Sequence, residues 1–300
     1  MSSGSPRLDA EGRARLLAEA GDLRPQLHRY CARLTGSVID GEDVVQDTLE
    51  RALAALQDLD AAPQLRPWLF RIAHNRALDL LRSRAVRKAE PIEAAAEVAD
   101  LANLDPVETL MRQQTVQTAV SRFAQLPVPQ RSAVILKDVL DEPLTAIAAL
   151  LDLTVDAVKG HLARGRAQLR RINAEAVSRP DPPPTSAAVA RYVALFNQRD
   201  WDGLRSLLAD DVRLNQASYP LRVGAADVGT FFTIYARSDS VRLAPAWLDG
   251  REVIAVFEGA DAAPSYMMWL EWRDEHISFI HDYRHARYVA GDATLILASA

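Results

Sequence analysis

A proline-rich segment near residue 180 constrains the fold more than any other feature of this sequence. Residues 178–186 read SRPDPPPTS, with four prolines in nine residues. Proline lacks a backbone N–H and has a fixed φ angle, so the preceding helix cannot continue through this segment, and a stiff extended linker is favoured. A chain of 300 residues can hold two or three domains, and we place a domain boundary at this linker.

Before the linker, apolar residues recur at helical spacing. The pattern predicts helices from about residue 9 to 35, from Asp40 or Gly41 onward, and over Leu65–Arg84. Two shorter helices are predicted further on, one over Leu144–Leu151 and one that begins at Asp156. A turn of about three residues joins them, which is typical of a helix-turn-helix.

The segment Leu65–Arg84 has two different surfaces at one helical period. Its apolar stripe consists of Leu69, Ala73, Ala77 and Leu80. Arginines lie off that stripe, and two large aromatic side chains, Trp68 and Phe70, lie at the start of the segment. Such a helix could follow a phosphate backbone and stack an unpaired base. From the residues alone, a buried aromatic pair beside a merely solvated arginine face is the more common arrangement.

Charge is segregated along the chain. The net charge is only −5, but residues 65–88 carry seven basic side chains against one acidic. Residues 90–108 carry six acidic and no basic side chains, whereas residues 159–171 carry five basic and no acidic ones. Two cationic helices separated by an acidic linker indicate a polyanionic partner more clearly than the net charge does.

The sequence also bears on compartment and cofactors. The chain has a single cysteine, Cys31, which cannot form an internal disulfide and fits a reducing compartment. No apolar run approaches the ~20 residues of a membrane span, and the N-terminus lacks a signal core. We therefore expect a cytoplasmic protein with no membrane association, no metal site and no cofactor.

Two parts of the chain resemble the extracytoplasmic-function (ECF) sigma factors of bacterial RNA polymerase. GEDVVQDTLERAL, residues 41–53, followed by RPWLFRIAHNRALDLLR, residues 66–82, is similar to region 2 of that family. AVKGHLARGRAQLR, residues 157–170, is similar to region 4. The resemblance implies a subunit that binds the clamp helices of the polymerase core, recognises the minus-ten and minus-thirty-five promoter elements, and starts transcription.

The resemblance also implies roles for individual residues. The expected DNA-binding residues of region 2 are Trp68, Phe70, Arg71, His74, Asn75, Arg76, Arg82 and Arg84. Those of region 4 are Lys159, His161, Arg164, Arg166 and Arg170. The expected polymerase-binding residues are Glu42, Asp43, Gln46, Asp47, Glu50 and Arg51. In other members the linker between the two regions runs toward the polymerase active centre, which implies the same for the acidic linker here.

The second region departs from the usual pattern of the family. Gly160-His161 stands where many members have Ser-Arg, and Gly165 stands where alanine is usual. Each glycine weakens a helix by ~1 kcal/mol relative to alanine. The missing arginine also removes a possible DNA contact, so the promoter sequence that is recognised stays open.

After the proline-rich linker the predicted secondary structure changes from helices alone to helices followed by strands. Helices are predicted over residues 187–199, 201–208 and 225–236, and strands over 241–248, 252–258, 265–273 and 276–284. Asp249-Gly250 is a hairpin signal. These elements describe an α+β cone, and YVALFNQRDWDGLRSLLADDVRL, residues 192–214, resembles the start of SnoaL-like domains. Some ECF sigma factors carry such a domain, which implies regulation of the sigma domains in place of a separate anti-sigma factor.

Catalysis in the cone is a weaker hypothesis. Its polar candidates are Asp210, Asp211, Tyr219, His276, His281 and Asp282. Asp210-Asp211 is interpreted as a helix end, and no pair of candidates has a spacing that fixes mutual geometry. The glycine-rich run of many sigma-fused SnoaL-like domains is replaced by NQASYPLRVG, residues 215–224. We expect no enzyme activity, while a small-molecule ligand of the cone stays open.

The predicted fold is therefore multidomain, with two all-α sigma domains followed by an α+β SnoaL-like cone. The expected boundaries are 9–86 for region 2, 87–112 for the acidic linker, 113–175 for region 4, 176–186 for the proline-rich linker and 187–300 for the cone. Expected partners are core polymerase, promoter DNA, and an intramolecular contact between the cone and the sigma domains. The alternative is a one-component helix-turn-helix regulator whose cone senses a ligand. It leaves the region 2 resemblance unused, and a SnoaL-like isomerase or cyclase explains still less.

Overall fold

The structure is a computed structural model. It describes residues 10–56, 63–89, 119–174, 184–217, 219–237, 240–261, 263–293 and 295–297. The described residues belong to two compact units: a helical unit formed by residues up to 174, and a helix–sheet unit from residue 184 onward. Most of the acidic linker and of the proline-rich linker lies outside the described residues.

The first three helices of the helical unit form an antiparallel arrangement of long segments. They are α1 (Ala10–Thr35), α2 (Val38–Ala55) and α3 (Leu65–Ala89). Ser37 caps α2, since its side chain accepts a hydrogen bond from the backbone N–H of Asp40. A Cβ on Gly41 would lie 2.5 Å from the backbone of Ala32, so glycine allows α1 and α2 to approach closely here.

The later helices of this unit include the predicted helix-turn-helix. They are α4 (Ala119–Phe123), α5 (Val128–Val134), which continues into a π-helical turn (Ile135–Val139), α6 (Leu144–Leu151) and α7 (Val155–Ala174). Helices α6 and α7 form the helix-turn-helix. Asp152 ends α6 in the left-handed conformation, with φ 54°. The Thr154 hydroxyl accepts a hydrogen bond from the N–H of Ala157 and so supports the first turn of α7.

Both sets of helices share a single hydrophobic core. Leu27, Leu34 and Leu69 from the first set are fully buried in the same cluster as Ile135 and Ile147 from the second. Burial of each such side chain contributes roughly 1.5–3 kcal/mol. The two regions that the sequence analysis places in separate domains thus pack together as one unit.

The second unit combines helices with a seven-stranded sheet. Its helices are α8 (Ala187–Asn197), α9 (Trp201–Ser206), α10 (Ala225–Gly229), α11 (Phe232–Tyr235) and α12 (Tyr288–Asp292). Its strands are β1 (Leu208–Gln216), β2 (Arg222–Val223), β3 (Val241–Leu248), β4 (Arg251–Glu258), β5 (Tyr266–Arg273), β6 (His276–Asp282) and β7 (Ile296–Leu297). The strand order is β2-β1-β6-β5-β4-β3-β7, with β1 and β6 parallel and the other pairs antiparallel.

This topology confirms the predicted α+β cone. Asp249 and Gly250 both have positive φ, 52° and 77°, as a two-residue hairpin between β3 and β4 requires. The interpretation of Asp210-Asp211 as a helix end is wrong, because both residues lie within β1. In the sequence, two acidic residues next to the apolar Leu208 and Val212 fit either a helix end or an exposed stretch of a strand. The structure shows that Asp210 and Asp211 are exposed strand residues.

Candidate nucleic-acid interface

Helix α7 presents basic side chains on its solvent-exposed side. Lys159, Arg164, Arg166 and Arg170 are exposed, whereas His161 is half-buried. Val158, Leu162 and Ile172 are buried on the opposite side of the helix. An exposed cationic face on the second helix of a helix-turn-helix is the arrangement that major-groove binding requires.

Gly165 explains how closely α7 packs against α5. A Cβ at this position would lie 2.7 Å from Cγ2 of Val134 and 3.2 Å from the carbonyl oxygen of Gln130. The helix therefore needs glycine at residue 165 for packing. At Gly160, by contrast, the nearest atoms belong to the flexible guanidinium of Arg164, at 3.3 Å.

The two aromatic residues at the start of α3 have different environments. Trp68 is half-buried, whereas Phe70 is only 3% exposed and lies in the core. The ring of Phe70 is 5.7 Å from that of Tyr30, and the guanidinium of Arg66 lies 5.0 Å from its centre. In this arrangement the predicted stacking of a base on Phe70 is blocked, since its ring is covered by protein.

Several other predicted DNA-binding residues of α3 interact within the helical unit. Arg76 pairs with Asp47, and Arg84 pairs with Asp40 at 2.6 Å. Because these carboxylates lie on α2, they neutralise part of the cationic face of α3. Arg82 pairs with Asp79 on α3 itself, at 2.8 Å. Asn75 and Arg71 are exposed.

His74 lies within the fold rather than on the exposed face. Its Nδ1 shares a 2.7 Å hydrogen bond with the hydroxyl of Tyr30, which is fully buried. Burial lowers the pKa of His74 to about 4. The side chain is therefore neutral at pH 7 and adds no charge to the arginine face.

The predicted polymerase-binding residues range from buried to exposed. Glu42 is 3% exposed and accepts a hydrogen bond from Arg24, with 2.5 Å between Nη2 and Oε1. Gln46 accepts a second bond from Arg24 and donates to Glu50. Asp43, Gln46 and Asp47 are half-buried, while Glu50 and Arg51 are exposed. The exposed part of this surface is thus smaller than the sequence pattern suggests.

Polar contacts join α3 to the helix-turn-helix. Arg66 donates from Nε to Oε1 of Glu142, 2.9 Å away, just before α6 begins. Arg71 donates to the carbonyl oxygen of Ala149 on α6, at 2.8 Å. Two of the residues expected near DNA, Trp68 and Arg71, therefore lie beside α6 in this arrangement.

Arg131 on α5 makes a further connection. Its side chain is buried and donates to the carbonyl oxygens of Leu34 at the end of α1, Ala124 and Leu126, at 2.5, 2.5 and 2.8 Å. Burial lowers the pKa of the Arg131 guanidinium. The unpaired carbonyls at a helix end carry partial negative charge, so they are suitable acceptors for a buried cation.

In the helix–sheet unit the structure brings together a polar cluster that the sequence analysis largely missed. Asp282 accepts a 2.7 Å hydrogen bond from Gln216, and burial raises the pKa of its carboxyl group to about 6. The hydroxyls of Tyr235 and Tyr266 share a 2.8 Å hydrogen bond. The hydroxyl of Tyr192 is also buried and has no hydrogen-bond partner within the described part of the chain.

The remaining polar candidates of this unit do not converge on Asp282. Asp211 pairs with Arg273 at the surface, and the ring of Tyr219 packs 4.4 Å from that of His285. His281 lies 3.2 Å from Glu271, and it points to the opposite face of β6 from its neighbour Asp282. Asp210 and His276 are exposed. The three tyrosines were missed because each occupies an apolar position of its helix or strand.

Two further observations concern ligands and membranes. Within the ranges that the structure describes, no group of three His, Cys, Asp or Glu side chains could hold a metal ion. None of the described helices is long and apolar enough to span a bilayer.

Comparison with known proteins assigns both parts of the helical unit. The Sigma-70 region 2 family matches residues 21–87, and the Sigma-70 region 4 family matches residues 117–169. The ECF RNA polymerase sigma factor SigG of Mycobacterium tuberculosis is 31% identical over 221 residues, which cover 66% of this chain and 60% of SigG. The chain therefore aligns with less than two thirds of SigG.

A shorter relative and one solved structure complete the comparison. The ECF RNA polymerase sigma factor SigM of Mycobacterium tuberculosis is 35% identical over 148 residues, which cover 49% of this chain and 71% of SigM. The crystal structure of the extracytoplasmic function sigma factor SigJ of Mycobacterium tuberculosis covers 91% of this chain and 98% of SigJ, at 21% identity and a TM-score of 0.36. The C-terminal unit combines helices with a seven-stranded sheet, and the chain as a whole belongs to the ECF sigma factors.

Proposed function

We propose that this chain binds RNA polymerase core, recognises the minus-ten and minus-thirty-five elements of a promoter, and starts transcription. The observation that carries the proposal is the geometry of α7, where basic side chains lie on the exposed side of a helix-turn-helix within a matched region 4. Membership of the ECF sigma factors supplies the functional context. The one-component regulator alternative would leave the region 2 match without a role.

In this proposal the two cationic helices have different DNA targets. Lys159, Arg164, Arg166 and Arg170 on α7 contact the minus-thirty-five element, where arginine side chains can bind guanine edges or phosphates. On α3, the exposed residues Arg71 and Asn75 contact the minus-ten element together with Trp68 and the remaining arginines. The exposed residues Glu50 and Arg51, with their half-buried neighbours on α2, contact the polymerase clamp.

We further propose that the helical unit opens when it binds the polymerase. A compact unit of about 130 residues has a radius of gyration of ~14 Å. The two promoter elements are separated by roughly 25 base pairs, or ~85 Å at ~3.4 Å per base pair. A unit of that size cannot place α3 on one element and α7 on the other. The Arg66–Glu142 pair and the shared core must therefore separate before both elements can be bound.

For the C-terminal unit we propose regulation of the sigma domains in place of a separate anti-sigma factor, without catalysis. The acid–base groups of this unit support the second point, since Asp282 is 2% exposed and the tyrosines around it are buried in the core. We propose that this regulation operates in the cytoplasm, where the polymerase is.

Reconstituted transcription tests the proposal. Core polymerase with the purified chain is supplied with a library of random upstream sequences, and the transcripts are sequenced. We expect a limited set of promoters that share two spaced motifs.

Arg164→Gln should reduce transcription about tenfold and relax the upstream motif, since a lost base or phosphate contact costs ~1–3 kcal/mol. The exposed Arg15 on α1 provides a matched control, because Arg15→Gln removes the same charge outside both proposed DNA surfaces.

A further inference from the structure

A cleft of about 450 Å³ lies in the helical unit, between the first turns of α3 and helix α6. Its walls are mainly apolar: Pro67 and Trp68 on the α3 side, and Ala146, Ile147 and Leu150 on the α6 side. The volume is within the ~300–1,000 Å³ that small-molecule sites occupy. Its lining also matches such sites, which combine hydrophobic and aromatic walls with a few polar groups.

The polar groups at the margin of this cleft are mostly neutralised, with one exception. Arg66 is balanced by Glu142 and also donates to Gln26. Arg71 is exposed, and the carbonyl of Ala149 accepts one of the five N–H donors of its guanidinium. Among the ion pairs of the described residues, Arg71 has no carboxylate partner. An apolar cleft with one unbalanced cation at its edge is complementary to an apolar molecule that carries an anionic group.

We propose that this cleft is a binding site for a small, flat, apolar molecule that carries a single carboxylate or sulfonate. Its rings would lie between the Trp68 indole and the apolar side chains of α6, and its anionic group would bind Arg71. The ligand would contact both α3 and α6, so it would bind the closed arrangement of the helical unit and not an open one. By linkage it would stabilise the closed arrangement. Only this stabilisation of the closed arrangement rests on the proposed function.

Two fluorescent probes that differ in a single group test the site. 8-Anilinonaphthalene-1-sulfonate carries a sulfonate, and N-phenyl-1-naphthylamine has the same rings without it. We expect one molecule of the sulfonate probe per chain, bound ~10-fold more tightly than the neutral probe because its anionic group gains a charge-assisted hydrogen bond. Arg71→Gln should remove this difference and leave the affinity for the neutral probe unchanged.

Filling the cleft provides the second arm of the test. Ala146→Leu should abolish binding of both probes, and Ala54→Leu on the exposed side of α2 should not change it. Both positions are exposed on helices, where leucine and alanine have similar propensity, so the variants should fold. Binding of several probe molecules, or binding that survives Ala146→Leu, would overturn the proposal. These measurements use the free chain without polymerase, so they are independent of the transcription assay that tests the proposed function.

Discussion

Arg66 on α3 and Glu142, two residues before α6, form an ion pair, with 2.9 Å between Nε and Oε1, across the junction of the two sigma regions. Both side chains are partly shielded from water, with 34% and 19% of their surfaces exposed. The pair lies beside Trp68 and Phe70, which are the aromatic residues expected at the minus-ten element. The pair therefore joins α3 to the segment before α6, beside Trp68, which we propose contacts the minus-ten element.

Weakening this ion pair should favour the open arrangement. Glu142→Gln keeps the shape of the side chain but removes its charge, which should destabilise the closed arrangement by ~0.5–1 kcal/mol. If opening accompanies polymerase binding, the apparent affinity for core enzyme should rise about two- to fivefold, as measured by fluorescence anisotropy. Asp138→Asn is the control, because Asp138 pairs with Arg166 within the helix-turn-helix. An equal gain from the control, or a loss from Glu142→Gln, would contradict the opening model.

Alanine substitutions at Gly160 and Gly165 of α7 should change the stability of the helical unit in opposite directions. Gly160→Ala should stabilise the helical unit by up to ~1 kcal/mol, because only the flexible Arg164 side chain is nearby. Gly165→Ala should destabilise it by ~1–3 kcal/mol, since the new methyl group would overlap Val134. Thermal unfolding followed by far-ultraviolet circular dichroism measures both. The packing described for Gly165 is incorrect if the two variants shift the midpoint in the same direction.

The stability of the helical unit should depend on the guanidinium group of Arg131. Arg131→Lys keeps the positive charge, but a single ammonium group cannot replace the fork that donates to Leu34, Ala124 and Leu126. A loss of ~1–3 kcal/mol is expected from buried carbonyls left without a donor. Urea unfolding of the helical unit is the measurement. The exposed Arg166→Lys should change the stability by less than ~0.5 kcal/mol, and a similar loss in both variants would count against a special role for Arg131.

The stability of the C-terminal unit should fall between pH ~4 and ~6 because of Asp282. Its carboxyl group has a pKa of about 6 in the folded state, above the unfolded value of ~3.9. The folded state therefore holds the proton more tightly, so this contribution to stability is present below pH ~4 and is lost as the pH rises to ~6. The loss is at most ~3 kcal/mol and is complete above that pH.

Tryptophan fluorescence during urea unfolding can follow this effect, because four of the five tryptophans lie in the C-terminal unit, at residues 201, 247, 269 and 272. In Asp282→Asn the difference in stability between pH 4 and pH 7 should shrink by the amount that Asp282 contributes. The comparison concerns the pH slope, since the substitution also removes a hydrogen-bond acceptor for Gln216. Parallel pH profiles for the two proteins would show that Asp282 ionises normally.

Local features of the fold were predictable from the sequence because they depend on neighbouring residues. The apolar period of α3, the turn at Asp152 and the hairpin at Asp249-Gly250 all appear where periodicity and turn chemistry place them. A helical period shows which face of a helix is buried but not what covers it. For that reason Phe70 was predicted to stack on a base, whereas in the structure it packs on Tyr30.

The candidate interface was harder to predict because its charges are balanced over long sequence separations. Arg84 and Asp40 are 44 positions apart, and Arg66 and Glu142 are 76 apart. Neither pair has a signal in a local window of sequence. The DNA-binding and polymerase-binding assignments stay predictions. The structure adds that α3 contacts α2 through Asp40 and Asp47, and α6 through the carbonyl oxygen of Ala149.

The distance between α3 and α7, measured with and without core polymerase, decides whether the helical unit opens. Ser83→Cys and Ala167→Cys place spin labels on exposed positions of the two helices, outside the proposed DNA contacts, while the native Cys31 is fully buried. We expect a short distance in the free chain and an increase of tens of ångströms in the transcribing complex, toward the ~85 Å between promoter elements. An unchanged distance in a complex that still transcribes from its promoter would rule out opening of the helical unit.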